Sequence, residues 1–148
     1  MYQRILVPVD GSATSQLGLK EAVKLAKLLK SRLQLVHIVD ELPAVSPQIY
    51  GAIYEGVLEQ LRSGGRTILS QAEAAVRAEG IPVESQLVEG LGGIAGEYIV
   101  KQAAAWPADL IVCGTHGRRG VRRIVMGSDA EYIVRHSPTP VLLVRSPH

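Results

Sequence analysis

The sequence predicts an α/β fold, and three observations predict it. Short β-branched runs alternate with helix-length stretches along the whole chain, the pattern of parallel strands joined by crossover helices. Three of these runs are nearly continuous in apolar residues instead of alternating, as strands covered on both faces are. Right-handed crossovers then leave a doubly wound parallel sheet, Rossmann-like with helices on both faces, as the simplest closure.

The first strand is Ile5-Leu6-Val7-Pro8-Val9. Proline is disfavoured inside a central strand, so Pro8 is expected at the carboxyl end, where pairing stops and a ligand crevice begins. Leu19, Ala22, Val23, Ala26 and Leu29 then form one helical stripe, with Lys20, Lys24 and Lys27 on the solvated face. The second strand runs from Leu33 to Val39, and His37 inside it reads as a satisfied core residue. Residues 40–53, with Pro43, Pro47 and Gly51, form the longest irregular segment and read as a loop. A long helix covers about residues 54–78, with Gly64-Gly65 as its expected kink or break. The third strand, from Val83 to Val88, is the most polar and suits a sheet edge. Helices over about residues 94–105 and 128–135 flank the fourth strand, Leu110-Ile111-Val112-Cys113. The fifth strand, Val141 to Val144, is apolar throughout. Left as the other edge, that row invites pairing, so dimerisation through it is expected.

The 148 residues fit one domain, 1–148, on the usual ~100–200 residues per domain. Sixteen basic and 14 acidic residues give a net charge of +2 and a pI of about 8.8, too even for a domain that grips nucleic-acid phosphates. Five Tyr, one Trp and no Phe leave almost no base-stacking surface. The lone Cys113 excludes an internal disulfide and a CxxC metal site; at the end of an apolar strand it is expected to be buried and inert. No apolar run approaches the ~18 residues of a membrane span. Pro8 and Asp10 cut the N-terminal apolar run, which does not read as a signal peptide. The expectation is a cytoplasmic protein with neither nucleic-acid nor membrane partners.

Ligands of doubly wound sheets sit at strand carboxyl ends, where the strand order reverses. Two such ends carry chemistry. Val9-Asp10-Gly11-Ser12 sets a carboxylate before a glycine and a hydroxyl at a helix start. Asp10 there either caps a turn or hydrogen-bonds a ribose or adenine group. Gly114-Thr115-His116-Gly117 continues through Arg118, Arg119, Arg122 and Arg123 to Gly127-Ser128 at a second helix start. Glycines let backbone N–H groups approach a phosphate, and the helix start adds a positive dipole end. The alternative is a solvated loop in which Ser128 is an ordinary cap. His116, between the glycines, is the only histidine expected near a ligand; His136 suits a helix end. There is no Gly-Lys pair, hence no Walker A loop. Gly90-Leu91-Gly92-Gly93-Ile94-Ala95 matches a dinucleotide fingerprint, but no acidic residue ends the next strand, and a glycine-rich turn is the better reading. No G-x-S-x-G elbow supports a catalytic triad.

Arg4-Ile-Leu-Val-Pro-Val-Asp-Gly-Ser12, Leu35-Val-His-Ile-Val-Asp40, Gly114-x2-Gly117-x9-Gly127-Ser128 and His136-Ser-Pro-Thr-Pro-Val-Leu-Leu-Val144 together resemble the universal stress protein family, in order and along essentially the whole chain. The glycine pattern is that of the family's nucleotide-binding branch. The resemblance implies a sheet of order 3-2-1-4-5, dimers paired through the last strand, and an adenine nucleotide between strands one and four. It implies that Asp10 contacts the nucleoside, flanked by Pro8 and Val9, and that the Ile38 backbone reads the adenine edge. Gly114, Gly117, Gly127 and Ser128 would hold ribose and phosphates, with Arg118 as a charge partner. Asp129 departs from the small apolar residue common at its position, and its carboxylate would weaken binding, help hold a cation, or favour the first helical turn. Gly90-Leu-Gly-Gly93 also departs from the proline-containing turn expected there.

The function expected is an adenine-nucleotide-binding regulatory protein of the stress response, acting as a homodimer, with ATP or AMP as ligand and magnesium accompanying ATP. The alternatives are a slow ATP hydrolase or autophosphorylating protein, for which no general base stands out, and a ligand-free dimeric interaction module.

Overall fold

The computed structural model describes residues 1–40, 47–115 and 126–146. The strands are β1 (Arg4–Pro8), β2 (Arg32–Asp40), β3 (Val83–Gly90), β4 (Leu110–Gly114) and β5 (Val141–Val144). Helices α1 (Ala13–Leu29), α2 (Pro47–Ala78), α3 (Ala95–Ala105) and α4 (Ser128–His136) alternate with them. All strand pairs are parallel, in the order β3-β2-β1-β4-β5, so the expected doubly wound topology and both expected edges are present.

Alternate residues of the central strand feed two cores, as the period of two requires. Ile5 and Val7 point toward α1 and α2 with Ala22, Ala26, Leu69 and Val76. Leu6 points the other way, with Ile99, Ala103 and Ile133 from α3 and α4. Both sets are almost wholly removed from water.

The β1–β4 pair is tied at one end and open at the other. At the amino end the Asp109 carboxylate accepts from the Gln3 N–H (2.8 Å) and the Arg4 N–H (3.0 Å), while the Asp109 N–H donates to the Arg4 carbonyl (2.9 Å). Register between the two strands covers only Ile5–Leu110 and Leu6–Ile111. On the other side β1 pairs with β2 as far as Pro8–Val36, and the Val9 N–H still donates to the Val36 carbonyl (2.8 Å). Backbone groups alternate sides along a parallel strand, so the N–H that proline lacks belongs to the β4 side. Pro8 therefore costs β2 nothing and removes a donor where β1 and β4 separate.

Two helices approach closely through glycines. Gly114 lies under the first turn of α1: a Cβ there would sit 2.6 Å from the Thr14 carbonyl oxygen. The expected kink at Gly64-Gly65 is absent, and α2 continues through both; it begins at Pro47, so residues 47–53 belong to it and not to the expected loop, and its non-helical residue is Gly51 (φ 34°, ψ −107°). Gly65 is buried because α2 presses on β2 and β3 there, and a Cβ would come within 2.6 Å of His37 Cδ2 and 2.8 Å of Leu87 Cδ1. Gly64 is exposed and a Cβ on it would meet nothing within 4 Å.

The adjacent glycines should respond in opposite directions. Gly65→Ala should lose about 1–3 kcal/mol through overpacking, whereas Gly64→Ala should gain up to ~1 kcal/mol of helix propensity. Urea denaturation of the two variants checks this.

Candidate functional site

The parted carboxyl ends of β1 and β4 open a cleft of about 820 Å³, within the ~300–1,000 Å³ usual for ligand sites. Pro8, Val9, Asp10, Ile38, Gly114, Gly127, Ser128 and Asp129 line it, all of them residues singled out from the sequence. His116, Gly117 and Arg118 lie outside the described residues.

Asp10 performs the turn role and faces the cleft as well. Its Oδ1 accepts from the Ser12 N–H (2.8 Å), and its own N–H donates to Ser15 Oγ (3.2 Å). Ser12 then caps α1 by accepting from the Ser15 N–H (3.2 Å), and Gly11 supplies the left-handed backbone (φ 83°) that reverses the chain. The carboxylate is thus held at the strand end by the helix it starts.

The Val9 carbonyl accepts from His37 Nδ1 (2.8 Å); since a carbonyl only accepts, Nδ1 carries the proton. His37 is the buried, satisfied histidine the sequence suggested, but it also lines the cleft, so His116 is not the only histidine to consider there. Ile38 lies two residues beyond Val36 on the same edge of β2. Its backbone N–H and C=O therefore face past the end of β1, toward the cleft.

The opposite wall is the start of α4. The Gly127 N–H donates to the Thr115 carbonyl at 2.6 Å, which ties the start of α4 to the end of β4. Gly127, extended at φ −61° and ψ 158°, occupies the N-cap position without a side-chain cap. Ser128 is consequently the first helical residue and not the cap; it is exposed beside the cleft. Asp129 caps a different helix: its Oδ1 accepts from the Gly96 N–H of α3 (3.0 Å). Gly96 lets the two helices meet, because a Cβ there would lie 2.8 Å from the Asp129 carbonyl oxygen.

Leu61, Gly64, Gly65 and Ile68 of α2 and Gly93, Ile94 and Ala95 before and at α3 complete the walls; the sequence marked Gly64-Gly65 only as a kink and Gly93-Ile94-Ala95 only as part of a fingerprint set aside, and Leu61 and Ile68 not at all. The glycine stretch before α3 is a turn closed by Tyr98, whose hydroxyl donates to the Gly92 carbonyl and accepts from the Leu91 N–H, each at 2.9 Å. Although it follows edge strand β3, its Gly93-Ile94-Ala95 end reaches the cleft at the β1/β4 switch point. Cys113 is buried at the cleft floor; desolvation, with the Asp129 charge, pushes its thiol up to about 12. Among the described residues no group of three His, Cys, Asp or Glu side chains is placed to hold a metal, and no helix is long and apolar enough to cross a membrane.

Comparison with known proteins follows the same outline. Residues 1–145 match the model of the universal stress protein family. A universal stress protein of Methanocaldococcus jannaschii is 32% identical over 147 residues, spanning 99% of this chain and 84% of the relative. The solved universal stress protein of Lactobacillus plantarum superposes with a TM-score of 0.86 at 27% identity, covering 97% of this chain and 98% of that one. A universal stress protein in complex with cAMP superposes with a TM-score of 0.65 at 26% identity, covering 97% of each chain.

The Cys113 environment predicts an alkaline signature. Unfolded cysteine ionises near the ordinary 9.0, whereas the folded thiol keeps its proton to about 12. The raised thiol thus contributes stability fully below pH ~9 and loses it as pH rises, by up to about 1.4 kcal/mol per unit. Cys113→Ala should show a shallower fall in unfolding free energy than the parent between pH 9 and 11.

Proposed function

The chain belongs to the universal stress protein family, and on that premise we propose that it is an adenine-nucleotide-binding regulatory protein of the stress response. The observation that carries this is the convergence, on one cleft, of the Asp10 turn, the outward backbone edge of Ile38 and the α4 start at Gly127-Ser128. A nucleoside needs a polar anchor, an edge that pairs with adenine, and N–H donors for phosphate, and these lie along one cavity. The cAMP-bound family member supports an adenine ligand.

In this reading Pro8 and Val9 flank the nucleoside, Asp10 hydrogen-bonds it, and the Ile38 backbone reads the adenine edge. Gly114, Gly127 and Ser128 meet ribose and phosphate through N–H groups and the Ser128 hydroxyl. His116, Gly117 and Arg118 complete the phosphate side. The ligand is ATP or AMP, with magnesium accompanying ATP, and its occupancy is the signal that cytoplasmic partners read.

The unit is a homodimer through β5. The Pro140 and Val144 carbonyls accept from Ile111 and Thr115, so Val141 and Leu143 turn their backbone groups away from β4, toward the open edge. Leu142 beside them is 37% exposed.

Thermal unfolding with and without AMP, cAMP and ATP tests the ligand. Nucleotide at ~100 times its dissociation constant should add about 2.7 kcal/mol; no shift, starting from nucleotide-free protein, contradicts it. Sedimentation velocity should find a dimer at micromolar concentration, and a monomer there removes the β5 pairing.

A further inference from the structure

We infer that Asp129 sets the phosphate specificity of the cleft, favouring adenine ligands that carry a single phosphate, open or cyclic, over the di- and triphosphates. The inference rests on the nucleotide reading above and names which members of that class are taken.

Asp129 directly follows Ser128 in the first turn of α4, lines the cleft, and is half-buried. Its carboxylate cannot swing away freely, because Oδ1 holds the Gly96 N–H at 3.0 Å. The backbone beneath it is equally fixed, since α3 packs on the Asp129 carbonyl through Gly96. Among the described residues no cation pairs with it, whereas the other first-turn acid, Glu131, pairs with Arg135 at 2.9 Å. The field of Asp129 reaches the floor of the cleft, where it helps to keep the Cys113 thiol protonated.

A helix start offers an anion roughly half a positive charge. Asp129 stands at the starts of both α3 and α4, so its fixed carboxylate cancels about all of the positive charge that the two helix ends offer together. One phosphate can still be held by backbone N–H groups and the Ser128 hydroxyl. Each further phosphate adds negative charge at the same end and is repelled by a like charge on a rigid mount. Arg118, Arg119, Arg122 and Arg123 of the neighbouring sequence add attraction, but that attraction is common to the parent and any variant at 129.

The geometry permits a clean substitution. Asp129→Asn keeps an oxygen able to accept from the Gly96 N–H and removes only the charge. Dissociation constants for adenosine, AMP and ATP should be measured by calorimetry at low salt with EDTA, on the parent and on Asp129→Asn. The parent should bind AMP more tightly than ATP, and 0.5 M salt should narrow that gap. In Asp129→Asn the affinity for ATP should rise relative to AMP by about fivefold for each added phosphate charge, with adenosine unchanged.

A merely structural role would move all three ligands together. An ATP-to-AMP ratio that stays put, or ATP binding that weakens, overturns the inference while leaving nucleotide binding intact. Failure of the parent to bind any of the three overturns both. Should Asp129→Asn unfold, Asp129→Ser, whose hydroxyl can also accept from the Gly96 N–H, carries the same comparison of ATP-to-AMP ratios against the parent.

Discussion

The parting of β1 from β4 is the constraint on which the rest of the site depends. A central parallel strand would ordinarily pair along its length on both sides, which would close the carboxyl edge. Here Asp109 secures the two strands at their amino ends, and Pro8 withholds a donor where they diverge. The pairing with β2 continues through Val9, so the opening comes without a loss to the other neighbour. The chain beyond Pro8 can then turn into α1 through Asp10, Gly11 and Ser12, which lays the Asp10 carboxylate at the mouth of the gap.

Close helix contacts fix the walls around that opening. Gly114 admits the first turn of α1, Gly65 admits α2 against His37, and Gly96 admits α4 against α3. Each glycine replaces a side chain with backbone approach, which is why the cleft is bounded by rigid elements on three sides. Asp129 caps α3 from α4, so movement at the Gly127-Ser128 end would be felt at the start of α3. His37 does the corresponding work on the other wall, joining the end of β1 to β2 and bearing on α2.

Much of this was legible in the sequence because it follows from local chemistry. Continuous apolar runs marked the buried strands, the polar third strand its edge, and Pro8 the divergence from β4, although pairing with β2 continues past it to Val9. The residues missed are those whose role depends on a distant partner. A glycine pair inside a helix looks like a break when its neighbours are unknown, and only the contact of Gly65 with His37 explains it. Ser128 was open to two readings, helix cap or phosphate donor; Gly127 holds the cap position, and the serine enters the helix as its first residue beside the cleft. The α2 wall carries no signal of its own: Leu61 and Ile68 are ordinary helix hydrophobics, distinguished only by facing the cavity. Asp129 was recognisable as an unusual charge, but its partner Gly96 stands 33 residues away.

The claim at the centre is that one cleft, at the β1/β4 divergence, receives an adenine nucleotide. Amide chemical shifts of the isotope-labelled protein, followed while AMP is added, test it most directly. Saturable changes centred on Val9, Asp10, Ile38, Gly114 and Gly127 through Asp129 are the predicted result. Changes confined to the amino ends of the strands, around Arg4, Ser31 and Arg32, would contradict it, as would a spectrum that AMP leaves unaltered.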